Sequence, residues 1–282
     1  MKGVIFILRT IIIILILSII PFITSCGKEQ LLSVHIIDVG QGDSILIKTP
    51  DSKNILIDGG DEDSEKIIKS YLKKENIKKF DMVFASHPDT DHIGSLDYII
   101  DNFQVNSIYM PETTSDNTAF TNLLRSCNTK NIDINYLYKG DYISINDSTL
   151  LEVLSPSYIQ DDSNLNSLVL KLNFKDKSFL FTGDSETSNE LDILNNFQLD
   201  DVDFLKVAHH GSSSSTNTEF LNKITPDVAA ISCGYKNQYG HPHQSTLDNL
   251  SDLNISTYRT DLNGDLVFYS DGETIFTKKK YK

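Results

Sequence analysis

An α/β fold in which two β-sheets pack face to face, with helices on the outside, is the architecture this sequence predicts. Strand-like runs gather in each half of the chain, and each gathering is followed by segments with helical apolar spacing. Placement supplies a further observation. Every cluster of ligand-type side chains falls where a strand runs out into a loop, the position a rigid scaffold gives to chemistry. At 282 residues, 39% hydrophobic and 23% charged, the chain has ordinary globular composition and length for one large domain or two small ones.

The amino terminus stands apart. Lys2 and Arg9 flank the start of the apolar run TIIIILILSIIPFITS, which leads into Cys26. A basic start, an apolar stretch and small residues before a boundary read as a secretory signal over residues 1–25. Ile23-Thr24-Ser25-Cys26 resembles a bacterial lipobox, so Cys26 is the expected lipid attachment point. Residues 26–30 then form a short linker to a domain spanning 31–282. An uncleaved signal anchor is the alternative, the apolar run being just short of a comfortable membrane span. Either way the chain is expected outside the cytoplasm, anchored to the cell membrane as a bacterial lipoprotein is. Nothing in the sequence points to a protein partner. Loss of residues 1–25 removes two positive charges and takes the formal net charge from −14 to about −16. Such acidity works against general attraction to nucleic acid unless bound cations or a local basic stripe reverse it. With Cys26 lipidated and no CxxC pair, Cys127 and Cys233 are expected as buried thiols rather than zinc ligands.

From Leu32 the elements follow in order. Strands are expected at Leu32–Ile37, Ser44–Lys48 and Asn54–Ile57, the last two joined by a tight TPDSK connection. Ile67, Ile68, Tyr71 and Leu72 predict a helix with Ser64 as its N-cap. Met82–Ala85 reads as a short buried strand and Leu96–Phe103 as a helix. Residues 104–150 alternate weak strands (VNSIYM, NIDINYLY, TLLEVL) with a helix around Ala119–Cys127. NSLVLKLNFKDKSFLFTGD then supplies two strands around a Lys175-Asp176-Lys177 turn. ETSNELDILNNF is helical, and VDFLKVAHHGSSSS is a strand ending in paired histidines. The last third predicts a strand at Val228–Ser232, a loop CGYKNQYGHPHQ, a helix at Ser245–Leu253 and a closing hairpin through Asn263-Gly264.

The densest cluster is His87-Pro88-Asp89-Thr90-Asp91-His92, set between two apolar runs. In an extended loop, positions i and i+2 point to the same side, so His87 and Asp89 can converge on one ion. Asp91 and His92 lie where the loop turns into a helix and can serve a neighbouring ion. Mixed imidazole and carboxylate ligands suit Zn²⁺, Mn²⁺ or iron. Asp184 follows a strand and a glycine, His209-His210 end another strand, and His241 and His243 share one face of an extended segment. Taken singly, these have ordinary readings as a turn, a satisfied core histidine or a charged loop. Six of the seven histidines fall in the three histidine clusters, a distribution that scatter does not readily produce.

HPDTDH at a strand end, TGD further on and HHGS soon after resemble the metallo-β-lactamase superfamily. That family's usual signature is His-x-His-x-Asp-His, and here Asp89 takes the second position. With IDVGQGD, LIDGG, NSLVLKL, LKVAHHGS and YGHP, residues 31–270 are similar to the extracellular metallo-β-lactamase-like domain of ComEC competence proteins. The multi-span membrane channel of those proteins is missing, so a free-standing exported relative is expected. The resemblance implies a four-layer αββα sandwich and hydrolysis by a metal-activated hydroxide at two divalent ions, Zn²⁺ or Mn²⁺. By position it implies His87 and Asp89 as ligands of a first ion, Asp91 and His92 of a second, Asp184 as the bridge and His210 as the second ion's other histidine. Catalytic roles are implied for Asp91, His209 and His241. Asp38 and Asp58 are candidates for orienting the ligand histidines, and Ser212 and His243 for touching substrate. The superfamily usually supplies a further histidine ahead of the bridging aspartate. None lies between His92 and His209, which leaves Asn166, Ser167, water or His241 to complete the first ion.

Asp89 hardens the site toward phosphate oxygens. The HHGSSSS and YKNQYGHPH loops offer Tyr235, Lys236 and Tyr239 for phosphate contact and base stacking. The expected activity is therefore that of a phosphodiesterase or nuclease acting on single-stranded DNA or another phosphodiester, in connection with DNA uptake. The alternatives are a lactone, phosphorylcholine-ester or β-lactam hydrolase on the same fold, or a non-catalytic surface lipoprotein. Lys66, Lys69, Lys73, Lys74, Lys78 and Lys79 gather around one helix, as a solvated face or as a basic track for a polyanion.

Overall fold

Strand β1 (Leu32–Ile36) turns Leu32, Val34 and Ile36 to one face, and the same two-residue period marks β2 (Ile45–Lys48) and β3 (Asn54–Ile57). Ile45, Ile47, Ile55 and Ile57 point with the β1 residues, while Leu46 and Leu56 point the other way. The computed structural model describes residues 31–199 and 202–281. After β3 come α1 (Glu65–Lys74), β4 (Lys79–Phe80), β5 (Met82–Phe84), α2 (Thr90–Ile93), α3 (Leu96–Asn102), β6 (Gln104–Val105), β7 (Ile108–Met110), α4 (Thr118–Lys130) and β8 (Ile134–Tyr136). The second half holds β9 (Tyr142–Asn146), β10 (Thr149–Ser155), β11 (Val169–Phe174), β12 (Lys177–Phe181), α5 (Thr187–Asn196), β13 (Phe204–Lys206), α6 (Thr218–Ile224) and β14 (Val228–Ile231). It closes with α7 (Gln244–Asp252), β15 (Ser256–Arg259), α8 (Thr260–Asn263), β16 (Leu266–Ser270) and β17 (Ile275–Phe276).

One sheet has the order β17-β16-β1-β2-β3-β5-β7-β8 and the other β15-β14-β13-β12-β11-β10-β9, with β4 and β6 forming a small separate pair. Three apolar layers follow from the strand alternation. Between the sheets, Val34, Ile47, Ile57 and Phe84 meet Leu170, Phe179, Phe181 and Phe204. Outside the first sheet, Leu46, Leu56 and Val83 are covered by Ile68 and Leu72 of α1, Leu96 and Ile99 of α3, and Phe120 and Leu123 of α4. Outside the second, Leu180, Leu205 and Ala229 are covered by Ile193 of α5, Phe220 of α6 and Leu250 of α7. Helix, sheet, sheet, helix is the expected four-layer αββα sandwich.

The topology also fixes where chemistry can sit. Strands β3 and β5 are parallel, as are β12, β13 and β14. The loops leaving β3, β5, β12 and β13 therefore emerge along one edge of the sandwich, and they carry Asp58, His87–His92, Asp184 and His209-His210.

Most expected elements form within a residue or two, including hairpins at Lys48↔Asn54 and Phe174↔Lys177. Two expectations are corrected. Asn263-Gly264 does not close a hairpin, because β15 belongs to the second sheet and β16 to the first. The pair instead ends α8, with Gly264 at φ 67 in the place where a glycine terminates a helix. Ser64 makes no side-chain cap on α1. A short 3₁₀ turn precedes the helix, and Asp61 caps that turn through Ser64 N at 2.9 Å, while the Ser64 hydroxyl donates to Val39 O.

Cys127 and Cys233 are free and buried, as expected. The signal segment 1–25, Cys26 and the linker 26–30 lie outside the described residues. Among the described residues no helix is long and apolar enough to cross a membrane.

Candidate metal centre

Asp58, His92, Asp184, Asp91 and His210 come together at the strand exits. Asp91, His92, Asp184 and His210 offer ligand atoms that all lie within 4.8 Å of one another. Nε2 of His92 is 3.1 Å from Oδ1 of Asp184, and Nε2 of His210 is 3.3 Å from Asp91 Oδ2 and 3.4 Å from Asp184 Oδ2. Nε2 of His87, His92 and His210, with Asp184 Oδ1, are buried and lack hydrogen-bond partners. Unpaired polar atoms in a protein interior are costly, and a group of them turned toward one another is the arrangement a shared cation would satisfy. The donor set fits a divalent metal.

The opposite ring nitrogens are committed, which sets the tautomers. His92 Nδ1 donates to Asp58 Oδ2 at 2.9 Å, and His210 Nδ1 donates to the Ser232 carbonyl at 3.0 Å. Asp58 also accepts from Ser86 N and Ser86 Oγ, both at 2.7 Å. With its proton given to Asp58, the Ser86 hydroxyl accepts from His87 Nδ1 at 3.0 Å. One buried carboxylate thus orients His92 directly and His87 through a serine, turning each Nε2 toward a neighbouring carboxylate, where a cation would take the place of its proton.

Electrostatics follow from the crowding. Burial alone pushes the Asp184 carboxyl up, but His210 and His92 more than offset it and hold the group well below the usual carboxylate range. Burial likewise works against charge on His92, yet Asp184 and Asp58 raise it well above the ordinary imidazole value. Asp91 behaves as Asp184 does, brought down to about 2 against its burial by the nearby His210 imidazole and by the His92 charge.

His87 and Asp89 meet as well, Nε2 to Oδ2 at 3.7 Å, although among the described residues no third Asp, Glu, His or Cys joins them in a compact group. His209 Nε2 is 3.7 Å from Asp184 Oδ2, and its half-buried ring faces the cleft. His209 and His210 are both left-handed, at φ 47 and 54, a strained pair of the kind that collects at functional sites. The following Gly211 cannot carry a side chain, since a Cβ there would stand 2.5 Å from Pro242 Cβ. His241 lines the same cleft with Gln41, Asn164 and Tyr239. Burial, then the neighbouring histidines, hold its imidazole down to about 4.

Five further candidates have hydrogen-bond partners of their own. Asp38 accepts from Gly40 N and caps its own turn. Asn166 closes on the Gln160 backbone through both amide atoms, and Ser167 accepts from Asp184 N at 3.1 Å. Ser212 pairs with Ser214, and His243 Nδ1 accepts from Ser213 N at 2.9 Å. Glu190 of α5 fastens the far end of this serine-rich loop by accepting from Asn217 N and Nδ2.

Two residues escaped the sequence reading. Asp43 and Lys206 form a fully buried ion pair at 2.6 Å, with the other oxygen of Asp43 3.5 Å from His210 Nδ1. Asp43, together with Asp58, supplies the buried carboxylates behind the site, and Asp38 is only partly buried. Gly42 beside it has no room for a side chain, because a Cβ would lie 2.2 Å from the Asp91 carbonyl oxygen. The signal available was Lys206 itself, an inward position on a buried strand immediately before the paired histidines.

A family model described as the metallo-beta-lactamase superfamily matches residues 37–235. The chain is 33% identical over 270 residues to ComE operon protein 3 of Bacillus subtilis (strain 168), covering 89% of this chain and 34% of that protein. To competence protein ComA of Neisseria gonorrhoeae it is 28% identical over 243 residues, covering 85% and 32% respectively. The chain thus spans about a third of the length of these relatives. Among solved structures, the metallo hydrolase Igni18 from Ignicoccus hospitalis shares the fold, with a TM-score of 0.54 at 14% identity over 84% of this chain and 98% of that one.

Proposed function

Because this chain belongs to the metallo-beta-lactamase superfamily, we propose that it is a metal-dependent phosphodiesterase acting on single-stranded DNA or a related phosphodiester. The observation that carries the reading is the convergence of Asp91, His92, Asp184 and His210 on one point with unpaired buried atoms. Imidazole and carboxylate donors without thiolate suit Zn²⁺ or Mn²⁺. In this reading Asp91, His92 and His210 would hold one ion and His87 and Asp89 a second, with Asp184 within reach of both. When bound, such ions supply positive charge that polarises a phosphoryl group and makes water more acidic.

The chain's own groups do the rest. Asp58 and the Ser232 carbonyl hold the imidazoles in place. His209 stands at the cleft to meet a leaving group, while His241, kept neutral at pH 7, offers a hydrogen bond rather than a charge. Tyr239 lines the cleft with 56% of its surface exposed, suited to stacking on a base. Similarity to two competence proteins supports a nucleic-acid substrate. Export and membrane tethering through Cys26 belong to the same proposal.

Purified protein with Mn²⁺ or Zn²⁺ should hydrolyse bis-p-nitrophenyl phosphate and single-stranded DNA, and leave nitrocefin and lactones intact. Asp184→Ala should abolish hydrolysis with an unchanged circular dichroism spectrum. Equal rates in wild type and variant, or in EDTA, would sink the metal mechanism.

A further inference from the structure

We infer that Asn164 is a metal ligand, its side-chain carbonyl completing the half of the site begun by His87 and Asp89. The inference rests on the metal-dependent reading above. His87 and Asp89 are only a pair, whereas the other half gathers four side chains within 4.8 Å. Two donors and a share of Asp184 fall short of the four or more ligands a divalent ion takes. Two of the residues that the sequence offered for the gap, Asn166 and Ser167, are committed elsewhere. Both amide atoms of Asn166 bond to Gln160, at 2.7 and 2.9 Å, and Ser167 Oγ receives Asp184 N. His241 packs against the paired histidines, its ring centroid 5.5 Å from that of His209 and 6.3 Å from that of His210, and its buried Nδ1 is the competing donor at the cleft.

Asn164 is differently placed. Its Oδ1 is buried and has no hydrogen-bond partner, while its backbone is fully used, N donating to Asp162 Oδ1 and O accepting from Ser167 N. The residue lines the cleft together with Asp89, Asp91, Asp184, His209 and His210. Its turn is fastened to both ligand-bearing loops. Leu168 N donates to Ser86 O at 2.8 Å, next to His87, and Asp184 N donates to Ser167 Oγ. Gly183 keeps these segments close, since a Cβ there would stand 3.2 Å from the Cβ atoms of Ser86 and Ser167. A buried carbonyl oxygen with no donor needs a partner, and among so many carboxylates a cation is the partner at hand. A neutral oxygen adds a ligand without adding to the negative charge already gathered there.

The test is a titration of the full chain with Mn²⁺ alone, bound ions being counted by calorimetry and by electron paramagnetic resonance. Wild type should bind two ions. Asn164→Ala should bind one, the lost site weakened at least about tenfold, and Asn164→Asp should restore the second. Asn164→Ser, too short to reach, should behave as the alanine variant and guards against a folding defect in either. Two ions at unchanged affinity in both truncations overturn the inference and leave the hydrolase reading standing. No ion bound by wild type overturns both.

Discussion

On one side of Asp184 stand His92 and His210, each with its far ring nitrogen bonded to a buried acceptor and each surrounded by carboxylates. On the other side stand His87 and Asp89, a buried imidazole and a partly exposed carboxylate 3.7 Å apart. Both pairs come from the same six-residue loop or face it, so residue type alone does not separate them. Support does. The first pair has Asp58, Ser232 and the Asp43–Lys206 ion pair behind it, and the second has a single serine relaying Asp58. A metal site is as complete as the atoms that hold its ligands.

The largest expected effect comes from breaking the support behind the stronger side. Lys206→Met leaves Asp43 buried and unpaired, which should cost about 3–5 kcal/mol in a urea unfolding titration. Adding Asp43→Leu should recover part of that loss, and a double variant no more stable than the single one would contradict the pairing. Next in size, His210→Ala should lower hydrolysis by on the order of 10²–10³-fold. His87→Ala should lower it by roughly tenfold. Equal losses would erase the distinction between the two sides.

His35 sharpens the comparison from outside the site. It is as buried as His92, but its ring nitrogens meet the hydroxyls of Tyr71 and Ser33 at 2.8 and 2.9 Å, and burial lowers it from 6.5 to about 4. Between those values the unfolded chain binds more protons than the folded one. The His35 contribution is therefore full above pH 6.5 and is lost as pH falls toward 4, a change of about 3 kcal/mol. His35→Gln should flatten that part of the stability profile relative to wild type, and an unchanged slope would refute it. Two further variants separate the relay. Asp58→Asn should weaken Mn²⁺ binding roughly 10- to 100-fold on both sides, whereas Ser86→Ala should weaken only the His87 side in the same titration.

How much of this was legible follows from residue type. Histidine and aspartate crowded at strand ends are rare outside metal sites, so His87, Asp89, Asp91, His92, Asp184 and His210 announced themselves. The αββα layering was legible too, since alternation within strands and helical spacing between them are local properties. Asp43 and Lys206 were not, because they are 163 positions apart and each alone reads as a surface charge. Asp38 and Asp43 both lie in the loop between the first two strands, and only the folded course of that loop buries Asp43 while leaving Asp38 partly exposed. Asn263-Gly264 suits a hairpin and a helix end equally well, and the choice between them was made by which sheet β16 joins.

Asp58, His87 and His92 hang from the first sheet, and Asp184 and His210 from the second. Anything that draws these side chains together is a rivet through one margin of a two-leaved body whose spine is the apolar layer between the leaves. Catalysis and mechanical closure then share the same few atoms. A cation held there would tie the two leaves together along that margin, so that stripping it with a chelator should lower the unfolding midpoint as well as the activity.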